Sequence, residues 1–368
     1  MKNGKFIPWI TILFTAFLVM SCTGNRIKVV SQEDRIIGVK IYDHHGSFPE
    51  LFEEWRSLGI NTAFVSAALD SNTEFRSLAK KYDIATYIIL PIFYNPEELQ
   101  RRPELFAITA EGKKASEEWV SFVCPTRQDY RQARIRYISN LIKELEPDGI
   151  SIDFIRHFVF WEKVYPDRHP EAIPNTCFDT HCLQIFQTDR SIDIPDSLEQ
   201  IPEIAAWIRN NCLAEWTEWK CKLITNMIGD IVDAAREIKP GININVHAVP
   251  WRQNDFGNAI KVVAGQDISK IATHVDIISP MTYAHMVKQK PEWVNSVVRD
   301  IAGMAKCQVV PSIQVNEAYL TEPLTVAEFE KSLIAALEKP SSGVIFWSWE
   351  QLDKRPEKKV IVRSVLNK

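Results

Sequence analysis

Eight short apolar runs recur along the chain, and segments with helical periodicity separate most of them. The runs cover residues 36–43, 60–66, 84–93, 148–156, 242–249, 275–283, 309–316 and 343–349. Strands that alternate with helices favour a parallel sheet, because each crossover brings the chain back to the same edge. No linker divides the sequence, so residues 34–368 are predicted to form one α/β domain, a (β/α)8 TIM barrel.

The fourth run, at residues 148–156, reads DGISIDFIR and ends on charged side chains. As a strand it turns Ser151 and Asp153 to the face opposite its isoleucines. The carboxyl ends of the strands carry the catalytic residues of barrel enzymes. Asp153 is therefore the first candidate catalytic residue.

The longest irregular stretch follows this run and covers residues 158–204. A helix predicted at residues 205–238 then returns the chain to the sheet. Loops on the carboxyl side of barrel strands hold the substrate. The pattern therefore predicts a long insertion after strand 4 that helps to form a binding site.

The fifth run carries a row of polar side chains, Asn243, Asn245 and His247, on one face. The interior of a purely structural barrel favours branched apolar side chains. Buried polar groups need hydrogen-bond partners. The row therefore indicates either a bound ligand, which we favour, or an internal hydrogen-bond network.

Acids, amides and aromatic side chains lie at the predicted strand ends. Cleavage of a glycosidic bond needs one protonated carboxyl group as acid and one ionised group as nucleophile or base. Arg156 would keep Asp153 ionised, whereas the apolar neighbour Trp349 makes Glu350 the acid candidate. Glu317 is the third catalytic candidate. Candidate substrate-binding residues around the same opening are Asp43, His44, Arg156, His157, Asn245, His247, Trp251, Tyr283, His285, Asn316, Trp347 and Trp349.

The N-terminus carries two lysines and then an apolar run at residues 6–20, which is short for a membrane span. The run leads into Leu-Val-Met-Ser and Cys22, which resembles the lipobox of bacterial lipoproteins. The resemblance implies a signal peptide at residues 1–21, a lipidated Cys22, and a tether at residues 22–33. Thr23, in place of an aspartate after the cysteine, implies an outer-membrane location in the bacterial cell envelope.

The charge and the cysteines limit the partners. The net charge is −4, and no dense basic run indicates a nucleic-acid partner. In an exported protein Cys177, Cys182, Cys212 and Cys221 become disulfide candidates. A zinc site built from Cys177, His181 and Cys182 lacks a fourth ligand, so neither a metal nor a cofactor is expected.

Two motifs resemble those of glycoside-hydrolase-like (β/α)8 barrels. Residues 148–156 resemble the fourth-strand motif D-[GE]-I-x-[LF]-D-Y-I-R-[YF]-P, and residues 276–283, DIISPMTY, are similar to D-Y-I-S-P-M-x-Y. The resemblance implies a carbohydrate substrate and a site that contains Asp153 and Arg156. The chain departs from the motif after Arg156, where His157 stands in place of an aromatic residue.

A more distant likeness is to the family-18 chitinases, whose fourth strand reads D-G-x-D-x-D-x-E. Ser151 replaces the middle acid of that motif, and Ile155 replaces its catalytic glutamate. The chitinase mechanism therefore does not carry over to this chain.

Three functions remain open. The first is a glycoside hydrolase that acts on an oligo- or polysaccharide by carboxylate acid/base chemistry. The second is a non-catalytic carbohydrate-binding lipoprotein, which the missing chitinase glutamate favours. The third is a metal-dependent hydrolase, although the H-x-H spacing usual for such barrels is absent. Its ligands would come from Asp43, His45, His247, His285 and Asp153 or Glu350.

Overall fold

The computed structural model describes Met1 and residues 35–366. The signal peptide, the tether and the lipidation site predicted at Cys22 lie outside the described residues. One parallel sheet contains β1 (Ile36–Ile41), β2 (Thr62–Val65), β3 (Ala85–Pro91), β4 (Gly149–Asp153), β5 (Asn243–Ala248), β6 (Ile277–Pro280), β7 (Gln308–Val309), β8 (Ser312–Gln314) and β9 (Gly343–Trp347). The strand order is β8-β9-β1-β2-β3-β4-β5-β6-β7.

The two ends of this order are neighbours in the chain, since only Val310 and Pro311 separate β7 from β8. The N–H of Val310 donates to the Ile278 carbonyl at 3.0 Å on one side, and the Pro311 carbonyl accepts from Ile345 at 2.9 Å on the other. Proline has no N–H to donate to a ladder, so it divides the predicted seventh strand into two short strands. The nine-stranded sheet is therefore curled.

Helices connect the strands. Within the described residues they are α1 (Phe48–Ser57), α2 (Ala67–Asp70), α3 (Thr73–Lys81), α4 (Pro96–Arg101), α5 (Gln128–Leu145), α6 (Thr180–Arg190), α7 (Ile201–Asn211), α8 (Leu213–Ile238), α9 (Ala259–Val262), α10 (Ile268–Ile271), α11 (Trp293–Met304), α12 (Val326–Leu337), α13 (Trp349–Leu352) and α14 (Pro356–Leu366). None of these described helices combines the length and the apolar character that a membrane span requires.

The connection between β4 and β5 differs from its prediction in two places. The stretch expected to be irregular, residues 158–204, contains all of α6 and the start of α7. The single helix expected at residues 205–238 is two helices, because the chain leaves helical geometry at Cys212, where φ is −150°. Hydrophobic periodicity continues across such a break and does not reveal it.

Polar residues fix the amino ends of the strands. Asn61, Asp148 and Asp276 directly precede β2, β4 and β6, and the side chain of each accepts a backbone N–H of the neighbouring strand at 2.8 to 3.0 Å. These bonds fix the strand register at one edge of the sheet. The carboxyl ends of the strands therefore meet at the opposite edge.

Gly149 allows an aromatic side chain to fill the inside of the sheet. A Cβ at this position would overlap the ring of Tyr87 and lie 2.9 Å from the carbonyl oxygen of Asn243. Tyr87 belongs to a small cluster of buried side chains that is separate from the main core, with Phe64, Ile277, Val310 and Ile345. The absence of a side chain at Gly149 is thus needed for this packing.

Gly149→Ala is expected to destabilise the fold by about 1 to 3 kcal/mol, because overpacking forces neighbouring groups to move. Gly303→Ala is the matched control. Gly303 lies in α11 with no atom near its absent Cβ, so alanine there is expected to stabilise by roughly 0.5 to 1 kcal/mol. Urea unfolding followed by circular dichroism measures both variants, and equal stabilities would contradict the packing role of Gly149.

Candidate active site

Two opposite charges face each other inside the carboxyl end of the sheet. Asp153 ends β4, and Lys40 is the penultimate residue of β1. The Nζ atom of Lys40 lies 3.7 Å from Oδ2 of Asp153, and the two side chains are 2% and 8% exposed. Oδ1 of Asp153 accepts the N–H of Phe154 at 2.7 Å. The carboxylate therefore has a partner on each oxygen.

The surroundings of Asp153 favour its charged form. Burial alone would raise the pKa of this carboxyl. The charge of Lys40, the nearby His247 ring, the charge of Arg156 and the Phe154 N–H together more than offset burial and hold the pKa below its usual value. Asp153 is thus ionised at neutral pH, as the sequence predicted from Arg156, but Lys40 is the larger cause.

The polar row of β5 takes part in an internal hydrogen-bond network. Nδ2 of Asn245 donates to Oγ of Ser151 at 2.9 Å, and Oγ of Ser279 donates to Oδ1 of Asn245 at 2.7 Å. Nε2 of His247 lies 3.0 Å from the same Ser151 hydroxyl. All four side chains are buried, whereas Asn243 is exposed. Of the two interpretations of the row, the structure shows the network for Asn245 and His247.

His247 joins this network to the charged pair. Burial and the charge of Lys40 lower the pKa of His247 to about 3, so its ring is neutral. Its Nδ1 atom is buried and has no hydrogen-bond partner among the described residues. His247 thus offers Asp153 a polar but uncharged neighbour.

A second buried carboxyl group, Glu162, lies beside the site on the 3-10 helix Trp161–Lys163. Burial raises the pKa of Glu162 to about 7; the charge of Arg156 offsets part of this rise, and that of Asp153 adds to it. Oε2 of Glu162 has no hydrogen-bond partner in the described part of the chain. Glu162 therefore holds a proton under conditions in which Asp153 is ionised.

Arg156 is a buried cation whose charge influences both carboxyls. Its guanidinium lies 5.1 Å from the ring centre of Phe122 and 5.0 Å from that of Phe154, and Nη2 donates to the Val159 carbonyl at 3.4 Å. Burial lowers the pKa of Arg156, and the charges of Glu162 and Asp153 oppose that effect. Its charge therefore acts on both acids at once.

Aromatic rings form one wall of the site. Tyr283 and Trp347 stack with ring centres 4.6 Å apart, and Trp161 lies 5.7 Å from Tyr283. Burial raises the pKa of Tyr283, and Tyr42, Asp153 and Glu162 raise it further. Trp347 is partly exposed and presents a flat apolar surface beside the acids.

A second group of aromatic side chains surrounds Phe154. Tyr94 stacks on Phe154 at 4.8 Å, and Trp119 packs against Phe154 at 6.2 Å and Phe160 at 5.9 Å. Nε1 of Trp119 donates to the hydroxyl of Tyr319 at 2.8 Å. Trp119 and Tyr319 are 42% and 38% exposed. These two rings connect the loops after β3 and β8 at the surface of the protein.

The other two predicted catalytic acids, and the predicted binding residue Asp43, bind the backbone or an arginine. Oε1 of Glu350 accepts the N–H groups of Tyr42 at 2.6 Å and Asp43 at 3.2 Å, and so holds the end of β1. Glu317 is 40% exposed in its side chain and lies 3.8 Å from Arg355. Asp43 is exposed and accepts the N–H of its neighbour His44 at 2.8 Å.

Two predicted binding residues face the helices. Trp349 lies in α13 rather than in the last strand, and its ring packs 5.7 Å from that of Trp55 in α1. His157 is buried, with Nε2 3.3 Å from the Lys220 carbonyl in α8. Neither side chain forms a hydrogen bond or an ion pair with Lys40 or Asp153 among the described residues.

Three further candidates have partners outside the charged pair. His285 is held by the Glu328 carboxylate at 3.1 Å and the Glu322 carbonyl at 2.9 Å. Trp251 packs against Phe256 at 5.6 Å. Nδ2 of Asn316 donates to the Glu317 carbonyl at 2.7 Å. Out of the predicted set, the structure thus brings together Asp153, Arg156, His247, Tyr283 and Trp347, and Asn245 joins His247 through Ser151.

Sequence reasoning missed Lys40 and Glu162. Lys40 could have been predicted, because it is a lysine in an otherwise apolar strand and the alternation of side chains turns it toward the sheet interior. Glu162 lies in the connection after β4, where no periodicity relates a side chain to the sheet. The only indication that Glu162 lies near the site was its position in the sequence, soon after Asp153.

No protein-family model matches the chain, and no curated protein matches it. Among solved structures, the PgaB (BpsB) glycoside hydrolase domain from Bordetella bronchiseptica is similar, with a TM-score of 0.65, 13% identity, and coverage of 90% of this chain and 98% of that one. A β-galactosidase from the psychrophilic Marinomonas ef1 has a TM-score of 0.65 and 11% identity, with 90% and 59% covered.

The β-galactosidase from the Antarctic haloarchaeon Halorubrum lacusprofundi gives a TM-score of 0.63 at 11% identity, with 90% of this chain and 57% of that one covered. This chain therefore spans less than two thirds of these β-galactosidases but nearly all of the PgaB domain. At such identities the similarity shows that the α/β fold is shared.

Lys40→Met is expected to destabilise the protein by about 3 to 5 kcal/mol, because it leaves Asp153 buried without its countercharge. In the native chain the lowered pKa of Asp153 contributes stability that is lost as pH falls through that pKa. In the variant burial dominates and raises this pKa, so stability should increase as pH falls. Urea unfolding as a function of pH measures both trends.

Lys222→Met, at an exposed position of α8, is the matched control and should leave the unfolding free energy within about 0.5 kcal/mol. The double variant Lys40→Met, Asp153→Asn should recover part of the lost stability. A Lys40→Met protein as stable as the control would contradict the role of the buried pair.

Proposed function

We propose that the protein is a glycoside hydrolase that acts on an oligo- or polysaccharide. Its curled sheet is a (β/α)8 barrel in which β7 and β8 together form the seventh strand, and the connection after β4 is a long insertion beside the site. The shared fold with glycoside hydrolases supports this proposal. The observation that carries it is the pair of buried carboxyls, Asp153 and Glu162, whose pKa values are shifted in opposite directions.

Glycoside hydrolysis needs one carboxyl of each protonation state. Asp153, kept ionised by Lys40, serves as the nucleophile or as the base that activates water. Glu162, kept protonated by burial, donates its proton to the leaving oxygen. Glu162 fits the acid role better than Glu350, because Oε1 of Glu350 already accepts two backbone N–H groups.

Aromatic surfaces are the expected partners of sugar rings. The stacked pair Tyr283 and Trp347 supports binding next to the acids, and the exposed rings of Trp119 and Tyr319 support binding farther out. Arg156 supplies a fixed positive charge that acts on both carboxyls.

A non-catalytic carbohydrate-binding protein is the second candidate. The observation that favours it is the burial of Asp153 in an ion pair, since Lys40 competes with substrate for the same oxygen. A metal-dependent hydrolase has less support, because Glu328 and the Glu322 carbonyl hold His285, and Ser151 holds His247.

We also propose, from the sequence alone, that Cys22 is lipidated and anchors the mature chain to the outer membrane of a bacterial cell envelope. Mass spectrometry of the N-terminal peptide tests this, since a lipidated cysteine adds a diacylglyceryl mass. Cys22→Ala should abolish that mass and release the protein from the membrane fraction. An unmodified Cys22 in the membrane-bound protein would contradict the proposal.

Asp153→Asn is expected to abolish turnover, because asparagine keeps the shape but cannot act as nucleophile or base. It also leaves Lys40 buried without its countercharge and so lowers stability, and circular dichroism establishes that the variant is folded. Activity is measured on a panel of aryl glycosides and oligosaccharides by release of the aryl group or of reducing ends. Asp233→Asn, on the exposed face of α8, is the control and should keep full activity. Full activity in Asp153→Asn would end the proposal.

If calorimetry detects oligosaccharide binding while no substrate is turned over under any condition, the protein belongs to the non-catalytic class. Turnover by the native chain would instead exclude it.

Glu162→Gln is expected to lower turnover of natural glycosides by about 10²- to 10⁴-fold, the usual contribution of a general acid. In the native enzyme kcat should fall as pH rises above about 7, where Glu162 loses its proton. The variant should lack this alkaline limb. Aryl glycosides with good leaving groups should suffer less, since their leaving oxygen needs little protonation.

Glu237→Gln on the exposed face of α8 serves as the control and should keep the native pH profile. An alkaline limb that is unchanged in Glu162→Gln would assign the acid role to another group. The pH profiles of Glu350→Gln and Glu317→Gln would then identify it.

A further inference from the structure

Three cysteine thiols converge on the helix side of the sheet. Cys124, Cys177 and Cys182 are fully buried, and their sulfur atoms lie within 4.8 Å of one another. Cys124 precedes α5, Cys177 lies in the connection after β4, and Cys182 belongs to α6. The sulfur atoms of Cys124 and Cys182 are 3.1 Å apart, and all six described cysteines are free thiols. Three separate segments thus bring sulfur to one point.

A histidine nitrogen faces the same cluster. Nδ1 of His157 lies 3.8 Å from Sγ of Cys177, while Nε2 lies 3.3 Å from the Lys220 carbonyl. A carbonyl oxygen only accepts hydrogen bonds, so Nε2 carries the ring proton and Nδ1 presents its lone pair to the thiols. Metal-binding histidines in proteins have this arrangement, in which the second nitrogen donates to a carbonyl or carboxylate.

The ring of His157 is held in position by close packing. A Cβ on Gly265 would lie 2.6 Å from Cδ2 of His157, and Gly265 has a φ of +70°, which favours glycine. The backbone N–H of His157 donates to the Ala264 carbonyl at 2.9 Å. The imidazole is therefore prearranged toward Cys177.

Asp179 also lies near the thiols but has a role of its own. Its Oδ1 accepts the Cys182 N–H at 3.2 Å as the N-cap of α6, and the same oxygen lies 3.2 Å from Arg127. Oδ2 is 3.0 Å from Sγ of Cys182. Asp179 therefore has two structural partners, the N-terminus of α6 and Arg127. The Nδ1 atom of His157, in contrast, faces only the thiol cluster.

We propose that Cys124, Cys177, Cys182 and His157 bind a zinc ion. Three cysteines and one histidine are a common ligand set of structural zinc sites. Zinc–sulfur bonds of about 2.3 Å and zinc–nitrogen bonds of about 2.0 Å place tetrahedral ligand atoms about 3.4 to 3.8 Å apart. The Cys124–Cys182 spacing of 3.1 Å and the His157–Cys177 spacing of 3.8 Å are close to these values. The three sulfur atoms already lie within 4.8 Å of one another, and on binding the imidazole of His157 would move toward Cys124 and Cys182.

The charges agree with such a centre. Zinc displaces one proton from each thiol, so Zn²⁺ with three thiolates and a neutral imidazole carries a net charge of −1. Buried Lys220 lies beside it, with Nζ donating to the carbonyls of Val262 and Val263 at 3.0 Å each. Nζ also donates to Oδ1 of Asn175, so all of its hydrogen-bond partners in the described part of the chain are neutral oxygens. A centre with a net negative charge beside Lys220 would favour the charged form of this lysine.

A disulfide is the competing use of these cysteines. It would join two of the thiols and leave the third, together with the Nδ1 atom of His157, buried without a partner. A zinc ion uses all four groups. It would also fasten the segment that follows β4 to α6 and to the start of α5, independently of any reaction at Asp153.

The zinc content of the full chain, purified without chelators under reducing conditions, tests the proposal by elemental mass spectrometry. We expect one zinc per chain in the native protein and in Cys307→Ser, a control cysteine outside the cluster. Cys182→Ser and His157→Ala should lose zinc affinity by more than the roughly 10- to 100-fold typical of outer-shell changes. Circular dichroism establishes that each variant is folded.

Cobalt(II) exchange into the native chain needs no variant. An intense thiolate-to-cobalt charge-transfer band with tetrahedral d–d bands would support the proposal. No zinc or cobalt uptake, or a disulfide between two of the three cysteines in the chain isolated without reductant, would overturn it. Zinc that is retained in His157→Ala but lost in Asp179→Asn would overturn the assignment of His157.

Discussion

The ion pair of Lys40 and Asp153 is the interaction on which the proposed site depends. Lys40 lies on β1 and Asp153 on β4, and β2 and β3 lie between them in the sheet order. Neighbouring strands are about 4.8 Å apart, so a flat sheet would separate these two backbones by about 14 Å. A contact of 3.7 Å therefore requires the sheet to curl around its own interior. Curvature and charge pairing thus depend on each other.

The same pair explains why two buried carboxyls behave differently. Burial acts on Asp153 and Glu162 alike and disfavours the charge on each. Lys40 is close to Asp153, whereas Glu162 has only the partial influence of Arg156. A cation that lies closer to one carboxyl than to the other is enough to separate their pKa values. Below them, neutral His247 and the network around Ser151 fill the interior without adding charge.

Alternation along strands made part of this site predictable. Asp153, Tyr283 and Trp347 follow from strand ends that meet at one edge, and the structure brings them together. The prediction that Trp349 lies at the site required the last strand to continue to residue 349. The chain instead enters α13 at Trp349, the side-chain period changes from 2 to 3.6, and the ring turns toward α1. Glu162 was beyond prediction, because a connection without periodicity gives no direction for a side chain.

The segment after β4 joins two otherwise separate parts of the protein. Phe154 has a φ of +50°, a conformation that costs a bulky residue roughly 1 to 3 kcal/mol, and this turn directs the chain out of the sheet. Arg156 then faces the carboxyls, and the next residue, His157, faces the thiols and α8. The backbone position at residues 156–157 is therefore common to both proposed sites.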